Sequence, residues 1–264
     1  MITTAGGVTG LGTLLGIWAH PDDEAYLSGG LMALASAAGS RVVCVTATRG
    51  EQGTADPARW PPDRLAAVRT AELRRCLDIL GVGEHHWLDY PDGGCAGTDG
   101  PAAVHRLAAI ITAVRPDTVV SFGPDGFTGH LDHRTVGGWA AAAVARAGRP
   151  DLRLLQAAAP RARHRRWADL NRELGVFEPG YPVLVPDDRL AVHLVLDRPI
   201  ADRKVRALAA QRSQTEGLIR TLGLTTYTAW VGEECFVQRP VRPLNAGPHA
   251  GRAPRGQFAA PHPG

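Results

Sequence analysis

The stretch LLGIWAHPDDE, residues 14–24, decides how the rest of the chain is interpreted. Its first part, Leu14 to Ala19, is an apolar run with the length of a buried strand. The residues that follow, His20 to Glu24, are polar apart from one proline, so the strand is expected to end there. Leucine and alanine then dominate Gly29 to Ala38, which predicts a helix. A strand, a polar turn and a helix in this order favour an α/β fold.

The same alternation of short apolar runs and helix-length segments continues along the chain. Further strands are predicted at 41–48, 86–88, 117–122 and 191–197, and further helices at 63–80, 101–115, 135–147 and 200–222. Strands separated by helices predict a Rossmann-like α/β fold, with a mostly parallel sheet covered by helices on both faces. Residues 150–189 show no regular pattern and are predicted to be irregular.

Chain length and composition give the domain organisation. A length of 264 residues suits one α/β domain better than two. We assign residues 1–239 to this single domain. Residues 240–264 are rich in proline, glycine, alanine and arginine, and this composition predicts a disordered tail.

Charge and cysteine usage narrow the function classes. Lys204 is the only lysine, and the formal net charge is +3. The one dense basic cluster (Arg161, Arg163, Arg165, Arg166) is too small for the basic face of a nucleic-acid-binding protein. It is either a solvated face or an anion site for a substrate. Four scattered cysteines without a CxxC pair argue against a disulfide framework. No signal peptide or membrane-length apolar run is recognisable, so we expect a cytoplasmic protein without membrane partners.

The segment His20-Pro21-Asp22-Asp23-Glu24 is the first candidate for chemistry. Open parallel sheets bind their ligands at the carboxyl ends of strands, and this segment directly follows the first strand. His20 and Asp23 are three residues apart on a turn, so an imidazole nitrogen and a carboxylate oxygen can meet one ion. Zinc accepts that mixed set of ligands. Asp22 stays available as a base.

A second polar cluster, Gly129-His130-Leu131-Asp132-His133, follows the predicted strand at 117–122. It offers one further metal ligand and a supporting pair of side chains. The alternative is that His20 and Asp23 only cap a helix and that the second cluster is a polar loop. Three carboxylates and a histidine within five residues repel one another without a cation, which favours a metal site.

Both clusters resemble the PIG-L/LmbE family of zinc-dependent N-acetylglucosaminyl deacetylases. The resemblance rests on WAHPDDEAYLSGG (residues 18–30) and GHLDH (residues 129–133). Weaker similarities are TRGEQG (residues 48–53), Arg69 and Glu72 in VRTAEL, the LDYPDG loop that carries Asp92, and a helix with Lys204, Ala207, Ser213 and Gln214. They extend the resemblance from about Leu14 to Gln214.

The resemblance implies roles for individual residues. His20, Asp23 and His133 would bind Zn²⁺, Asp22 would be the general base, and His130 would face it across the scissile bond. Asp132 would orient His130, its alternative being an exposed helix cap.

Arg49, Arg69 and Asp92 are expected to bind substrate. For Arg69 the alternative is a structural salt bridge to Glu72, three residues away on a helix. Trp60 and Trp87 are expected near the loops, where they could stack on a sugar.

The resemblance implies an amide hydrolase acting on a small amino-sugar glycoconjugate. Gln211 and Thr128 depart from the histidine of many members and the tyrosine of some mycothiol-pathway members. These departures favour a secondary-metabolite substrate such as a glycopeptide antibiotic sugar. The alternatives are a mycothiol-pathway N-acetylglucosaminyl-inositol deacetylase or mycothiol conjugate amidase, and a metal-containing carbohydrate-binding protein without turnover.

Overall fold

A computed structural model describes residues 1–240 of the chain. Nine strands occur in these residues: β1 (Leu14–Trp18), β2 (Val42–Thr48), β3 (Glu84–Tyr90), β4 (Thr118–Phe122), β5 (Arg153–Ala157), β6 (Ala159–Pro160), β7 (Leu184–Val185), β8 (Val192–Val195) and β9 (Glu233–Arg239). Seven form one sheet in the order β3-β2-β1-β4-β5-β9-β8. β1 to β5 run parallel to one another, whereas β9 is antiparallel to both β5 and β8. β6 and β7 form a separate parallel pair.

Residues 1–240 also contain eight α-helices: α1 (Ala5–Thr9), α2 (Asp23–Ala37), α3 (Pro62–Leu80), α4 (Gly100–Val114), α5 (Leu131–Ala147), α6 (Arg161–Glu173), α7 (Arg198–Ala210) and α8 (Arg212–Val231). The prediction of a mostly parallel sheet with helices packed around it is confirmed. Among the described residues no helix is both long and apolar enough to span a membrane. The predicted tail falls almost wholly outside the described residues.

The sheet places polar loops beside one another because its central strands are fully buried. Every residue of β1, β2 and β4 is buried, as expected for parallel strands covered on both faces. Trp18 at the end of β1 packs edge-on against Phe122 at the end of β4, with ring centroids 5.0 Å apart. β1 and β4 are neighbours, so the segments that follow them, at His20 and His130, meet at one edge of the sheet.

Several predicted boundaries need correction. α2 begins at Asp23 rather than Gly29, so its first turn carries the acidic residues of the first candidate cluster. The segment 150–189 is not irregular throughout, because β5, β6, α6 and β7 lie within it. The predicted helix over 200–222 is two helices that divide at Gln211, a residue with φ −94° and ψ 53°.

A buried ion pair fixes α2 against β9. Lys204 on α7 donates to Glu234 on β9 over 2.7 Å, and both side chains are fully buried. The two carboxylate oxygens of Glu234 accept from the backbone N–H groups of Gly30 (2.6 Å) and Leu31 (2.8 Å) on α2. A side chain at Gly30 would place its Cβ 3.1 Å from Glu234, so glycine permits this approach. Every charge of the pair is therefore compensated.

Candidate metal centre

A cavity of about 400 Å³ opens at the carboxyl ends of β1 and β4. We call one part of its lining the charged wall, which holds seven of the nine predicted site residues: His20, Asp22, Asp23, Arg69, Asp92, His130 and His133. We call the other part the apolar wall, which consists of Leu27, Phe127, Val176, Trp230 and Val231. Two predicted site residues, Arg49 and Asp132, are outside this lining.

Three side chains of the charged wall converge on one point. His20 Nδ1 lies 3.1 Å from His133 Nε2, and His133 Nε2 lies 3.3 Å from Asp23 Oδ1. The third side, from His20 Nδ1 to Asp23 Oδ2, measures 3.6 Å. Ligands held tetrahedrally at about 2.05 Å from a zinc ion are about 3.3 Å from one another. The donor set and its spacing therefore fit a zinc ion bound by three protein ligands.

Hydrogen bonds on the outer nitrogens direct the inner nitrogens towards this point. His20 Nε2 lies 3.0 Å from Asp92 Oδ1 and 3.3 Å from Asp132 Oδ2. His133 Nδ1 lies 3.1 Å from the carbonyl oxygen of Gly126, to which it can only donate. Metal-binding histidines ordinarily donate their other N–H to a carboxylate or a carbonyl oxygen in this way. When neutral, both rings are held in the tautomer that leaves the inward nitrogen free for an ion.

The electrostatics of the cluster also call for a cation. Burial lowers the pKa of His133 to about 4, so its ring is neutral at pH 7, the form that binds a metal. Burial alone lowers the pKa of His20, but hydrogen bonds to Asp132, Asp23 and Asp92 outweigh it and raise that pKa well above its usual value. His20 is therefore protonated, and its positive charge is stabilised by the surrounding carboxylates. A bound metal ion can replace that proton and supply the positive charge instead.

Asp22 occupies a strained position beside the three ligating residues. Its backbone has φ 101° and ψ −30°, a conformation that costs a non-glycine residue about 1–3 kcal/mol. The backbone N–H of Asp22 donates to Glu24 over 2.9 Å, and its carboxylate lies 3.2 Å from Arg69 Nη2. Burial raises the pKa of Asp22 to about 7, although the charge of Arg69 opposes the rise. At neutral pH this carboxyl group can therefore accept a proton.

Arg69 holds the loops around Asp22 together. Its guanidinium donates to the carbonyl oxygens of Gly50 (2.8 Å) and Pro21 (2.5 Å) as well as to Asp22. The expected alternative, a salt bridge to Glu72, is not present among the described residues. Glu72 instead accepts from the backbone and the hydroxyl group of Ser213. Arg69 lines the cavity, but its donors are largely used by the protein itself.

The expected partnership of Asp132 with His130 needs correction. The Asp132 carboxylate contacts His20 and accepts from the backbone N–H groups of Gly93 (2.8 Å) and Cys95 (3.1 Å). Asp132 is fully buried, so it is not an exposed cap either. His130 is the N-cap of α5, and its Nδ1 accepts from the backbone N–H of Asp132 over 3.2 Å. That turn aims the carboxylate at His20 and leaves the proton of a neutral His130 on Nε2.

The expectation that Arg49 reaches a substrate also needs correction. Its guanidinium lies 2.8 Å from Asp89 and 2.9 Å from the hydroxyl group of Thr70, and it stacks over Trp87 at 4.3 Å. These partners are on β3 and α3 and are not among the residues that line the cavity. Asp92 does line the cavity, but it holds His20. Neither Trp60 nor Trp87 lines the cavity.

Sequence reasoning missed the apolar wall and the role of Arg163. Trp230 and Val231 come from the end of α8, and Val176 follows α6. Arg163 on α6 lines the same cavity, and the only sequence signal for it was the arginine cluster. Nothing in the spacing of these residues predicts that the ends of α6 and α8 meet the loop after β1.

Comparison with known proteins shows the family to which the chain belongs. Residues 15–144 match the family described as "PIG-L: GlcNAc-PI de-N-acetylase". A 1D-myo-inositol 2-acetamido-2-deoxy-alpha-D-glucopyranoside deacetylase from Rhodococcus opacus is 33% identical over 238 residues, covering 76% of this chain and 81% of the relative. The chain belongs to the PIG-L family. PIG-L deacetylases are metal-dependent, and their match to this chain contains every predicted site residue.

Other relatives match over shorter stretches. The enzyme of the same name from Saccharomonospora viridis is 38% identical over 155 residues, covering 50% of this chain and 58% of that protein. The chain spans about half the length of the first three curated relatives that it matches, from 41% to 58%.

Two solved structures share the fold. The N,N'-diacetylchitobiose deacetylase from Pyrococcus horikoshii has a TM-score of 0.60 at 23% identity, covering 88% of this chain and 87% of its own. A deacetylase of the teicoplanin biosynthesis pathway has a TM-score of 0.58 at 20% identity, covering 86% of this chain and 96% of its own. The PIG-L match ends at residue 144, so Arg163, Val176, Trp230 and Val231 lie beyond it.

Proposed function

We propose that this protein is a zinc-dependent amidohydrolase that removes the acetyl group from an N-acetylglucosaminyl unit of a small glycoconjugate. The observation that carries the proposal is the triangle of His20 Nδ1, Asp23 and His133 Nε2, with sides of 3.1–3.6 Å, beside the buried carboxyl group of Asp22. The PIG-L family match over residues 15–144, which contains these residues, and the curated relatives named as deacetylases support it.

The chain supplies the metal ligands and the base of the reaction. His20, Asp23 and His133 would hold the zinc ion, which when bound supplies an acidic water and polarises an amide carbonyl group. Asp22 accepts the proton of the attacking water, and Arg69 keeps its carboxylate in place through the 3.2 Å contact.

His130 supplies the second polar group of the reaction. Its Nδ1 is used by the Asp132 N–H, so the Nε2–H is the group that can donate to the developing oxyanion or to the leaving nitrogen. After the attack Asp22 also carries a proton. Two routes therefore return a proton to the leaving amine, one from His130 and one from Asp22.

The group attached to the N-acetylglucosamine of the substrate, its aglycone, is a separate question. Curated relatives act, by their names, on N-acetylglucosaminyl-inositol. Their names support the alternative of a mycothiol-pathway deacetylase. Of the two departures that favoured a secondary metabolite, Gln211 does not line the cavity and donates to Glu24 over 2.7 Å. Thr128 does line it, with its hydroxyl group 3.0 Å from His133 Nδ1. An all-hydroxyl inositol ring finds few partners on the apolar wall, which supports an apolar aglycone.

The decisive experiment measures acetate and free amine released from three substrates: N-acetylglucosaminyl-inositol, 4-methylphenyl N-acetylglucosaminide and N-acetylglucosamine. We expect equal amounts of acetate and amine, loss of both after chelation, and recovery with zinc. Zinc-loaded protein that binds these compounds without releasing acetate would support the carbohydrate-binding alternative instead.

A further inference from the structure

Arg163 differs from the other charged groups of the cavity in having almost no partner. Its Nη2 lies 3.4 Å from the carbonyl oxygen of Trp230, a long contact. Its Nε is buried and, like the Nε of Arg69, has no hydrogen-bond partner among the described residues. A guanidinium carries five N–H donors and stays charged, so a buried donor without an acceptor is costly.

The acidic side chains near Arg163 are already used. Glu233 lies 2.9 Å from Arg166 and 2.8 Å from His193. Glu234 binds Lys204 at the centre of the buried pair described above. No carboxylate lies within 4.0 Å of the Arg163 guanidinium in residues 1–240. The guanidinium of Arg163 therefore lines the cavity without an ion-pair partner, although the charges of Glu233 and Glu234 act on it from a greater distance.

The position of Arg163 in α6 adds to this excess of positive charge. The first turn of a helix favours acidic side chains because of the helix dipole. The first turn of α6 contains Arg161 and Arg163 and no acidic residue. Burial lowers the pKa of Arg163, and the negative charges of Glu233 and Glu234 oppose the fall without cancelling it. An anion in the cavity would relieve both effects.

The same charges disfavour a second cation site close by. His193, Glu233 and Cys235 place ligand atoms within 4.8 Å of one another. Glu233 is neutralised by Arg166, and Arg163 adds a further positive charge in the neighbourhood. A divalent cation there would face two arginines, so this part of the fold favours an anion.

We propose that Arg163 is a specificity-determining residue that binds an oxyanion, a carboxylate or a phosphate, carried by an apolar aglycone of the substrate. This proposal rests on the proposed function, which places the N-acetylglucosaminyl unit of the same substrate at the metal centre. The apolar wall packs against the body of the aglycone, and the guanidinium fork holds its charged group. Arg163, Val176, Trp230 and Val231 lie in the C-terminal half of the chain, beyond the segment that matches the PIG-L family model.

The test uses three matched glycosides with the zinc-loaded protein: 4-methylphenyl, 4-carboxyphenyl and 4-phosphophenyl N-acetylglucosaminide. Calorimetry gives the dissociation constant of each. We expect at least one charged glycoside to bind about tenfold more tightly than the methyl compound. The charged glycoside that gains more identifies the anion as a carboxylate or a phosphate. Equal affinity for all three, or no binding of the charged pair, overturns the proposal.

Variants assign that preference to Arg163. Arg163→Gln should remove the tighter binding of the charged glycoside relative to the methyl compound. Arg161→Gln is the matched control, because Arg161 is exposed in the same helical turn. Arg163→Lys should keep part of the preference, and its melting temperature shows that the fold persists. An unchanged preference in Arg163→Lys and Arg163→Gln overturns the assignment.

Acetate release separates this proposal from the proposed function. Charge-selective binding without acetate release contradicts the function and leaves the Arg163 site standing. Acetate release without charge selectivity contradicts the Arg163 site alone.

Discussion

The two walls of the cavity differ in how far their charged groups are already paired within the protein, as two arginines show. Arg69 in the charged wall donates to three acceptors of the protein, whereas Arg163 beside the apolar wall makes one contact of 3.4 Å. The first arginine holds Asp22 in place, and the second has donors left for a ligand. The partners of a charged group therefore indicate its role better than its presence in a cavity does. We expect substitutions in the charged wall to change metal content or turnover, and substitutions in the apolar wall to change only substrate affinity.

The largest effect is expected for His133→Ala. Without Nε2 the triangle loses one corner, so the metal content should fall from one zinc per chain to almost none, together with the activity. Elemental analysis of the purified variant measures this. His105→Ala is the control, because His105 is exposed on α4. Full zinc occupancy in His133→Ala would remove His133 from the ligand set.

Asp22→Asn should leave zinc bound and lower kcat by at least ~10², the usual scale for losing a general base. Asp22 lies beside the ligating residues and contacts Arg69, which the amide can still do. Steady-state kinetics and zinc content are measured on the same preparation. If zinc is lost together with activity, Asp22 is itself a ligand.

His130→Ala should keep zinc and lower kcat about 10²-fold, the scale for losing a donor to a developing oxyanion. KM should change little, because the contact strengthens as charge develops. A variant that binds less zinc would show instead that His130 ligates the ion, as its place within 4.8 Å of His20 and His133 ligand atoms permits.

Asp132→Ala is expected to weaken zinc affinity about 10–100-fold, because His20 loses one of the acceptors that orient its ring. Competition with a chromogenic chelator measures the affinity. Asp132→Asn keeps an acceptor oxygen, so its zinc affinity should lie between those of Asp132→Ala and the wild type. Unaltered affinity in both would contradict the role of Asp132 as the partner of His20.

The smallest effect is expected in the apolar wall. Val176→Ala removes two methyl groups from contact with an aglycone, which should raise KM for the 4-methylphenyl glycoside about fivefold. Zinc content and kcat should not change. A fall in kcat or in bound zinc would show that the two walls do not act separately.

The sequence predicted the charged wall far better than the apolar wall. His20, Asp23 and His133 lie in two short segments that each follow a buried parallel strand, and neighbouring strands bring such segments together. The pairing of Asp132 with His20 could not be read from spacing, because the turn at His130 decides where that carboxylate points. Trp230 and Arg163 enter the cavity from helix ends more than 60 residues apart. Only the tertiary packing of α6 and α8 brings them there.

The buried pair of Lys204 and Glu234 has a consequence for chemical labelling. Lys204 is the only lysine of the chain, and its amine is fully buried and donates to Glu234 and to the carbonyl oxygen of Tyr26. Amine-directed reagents therefore have no accessible lysine side chain while the protein is folded. Modification of Lys204 requires α2, α7 and β9 to separate, so the extent of labelling reports opening of that part of the fold.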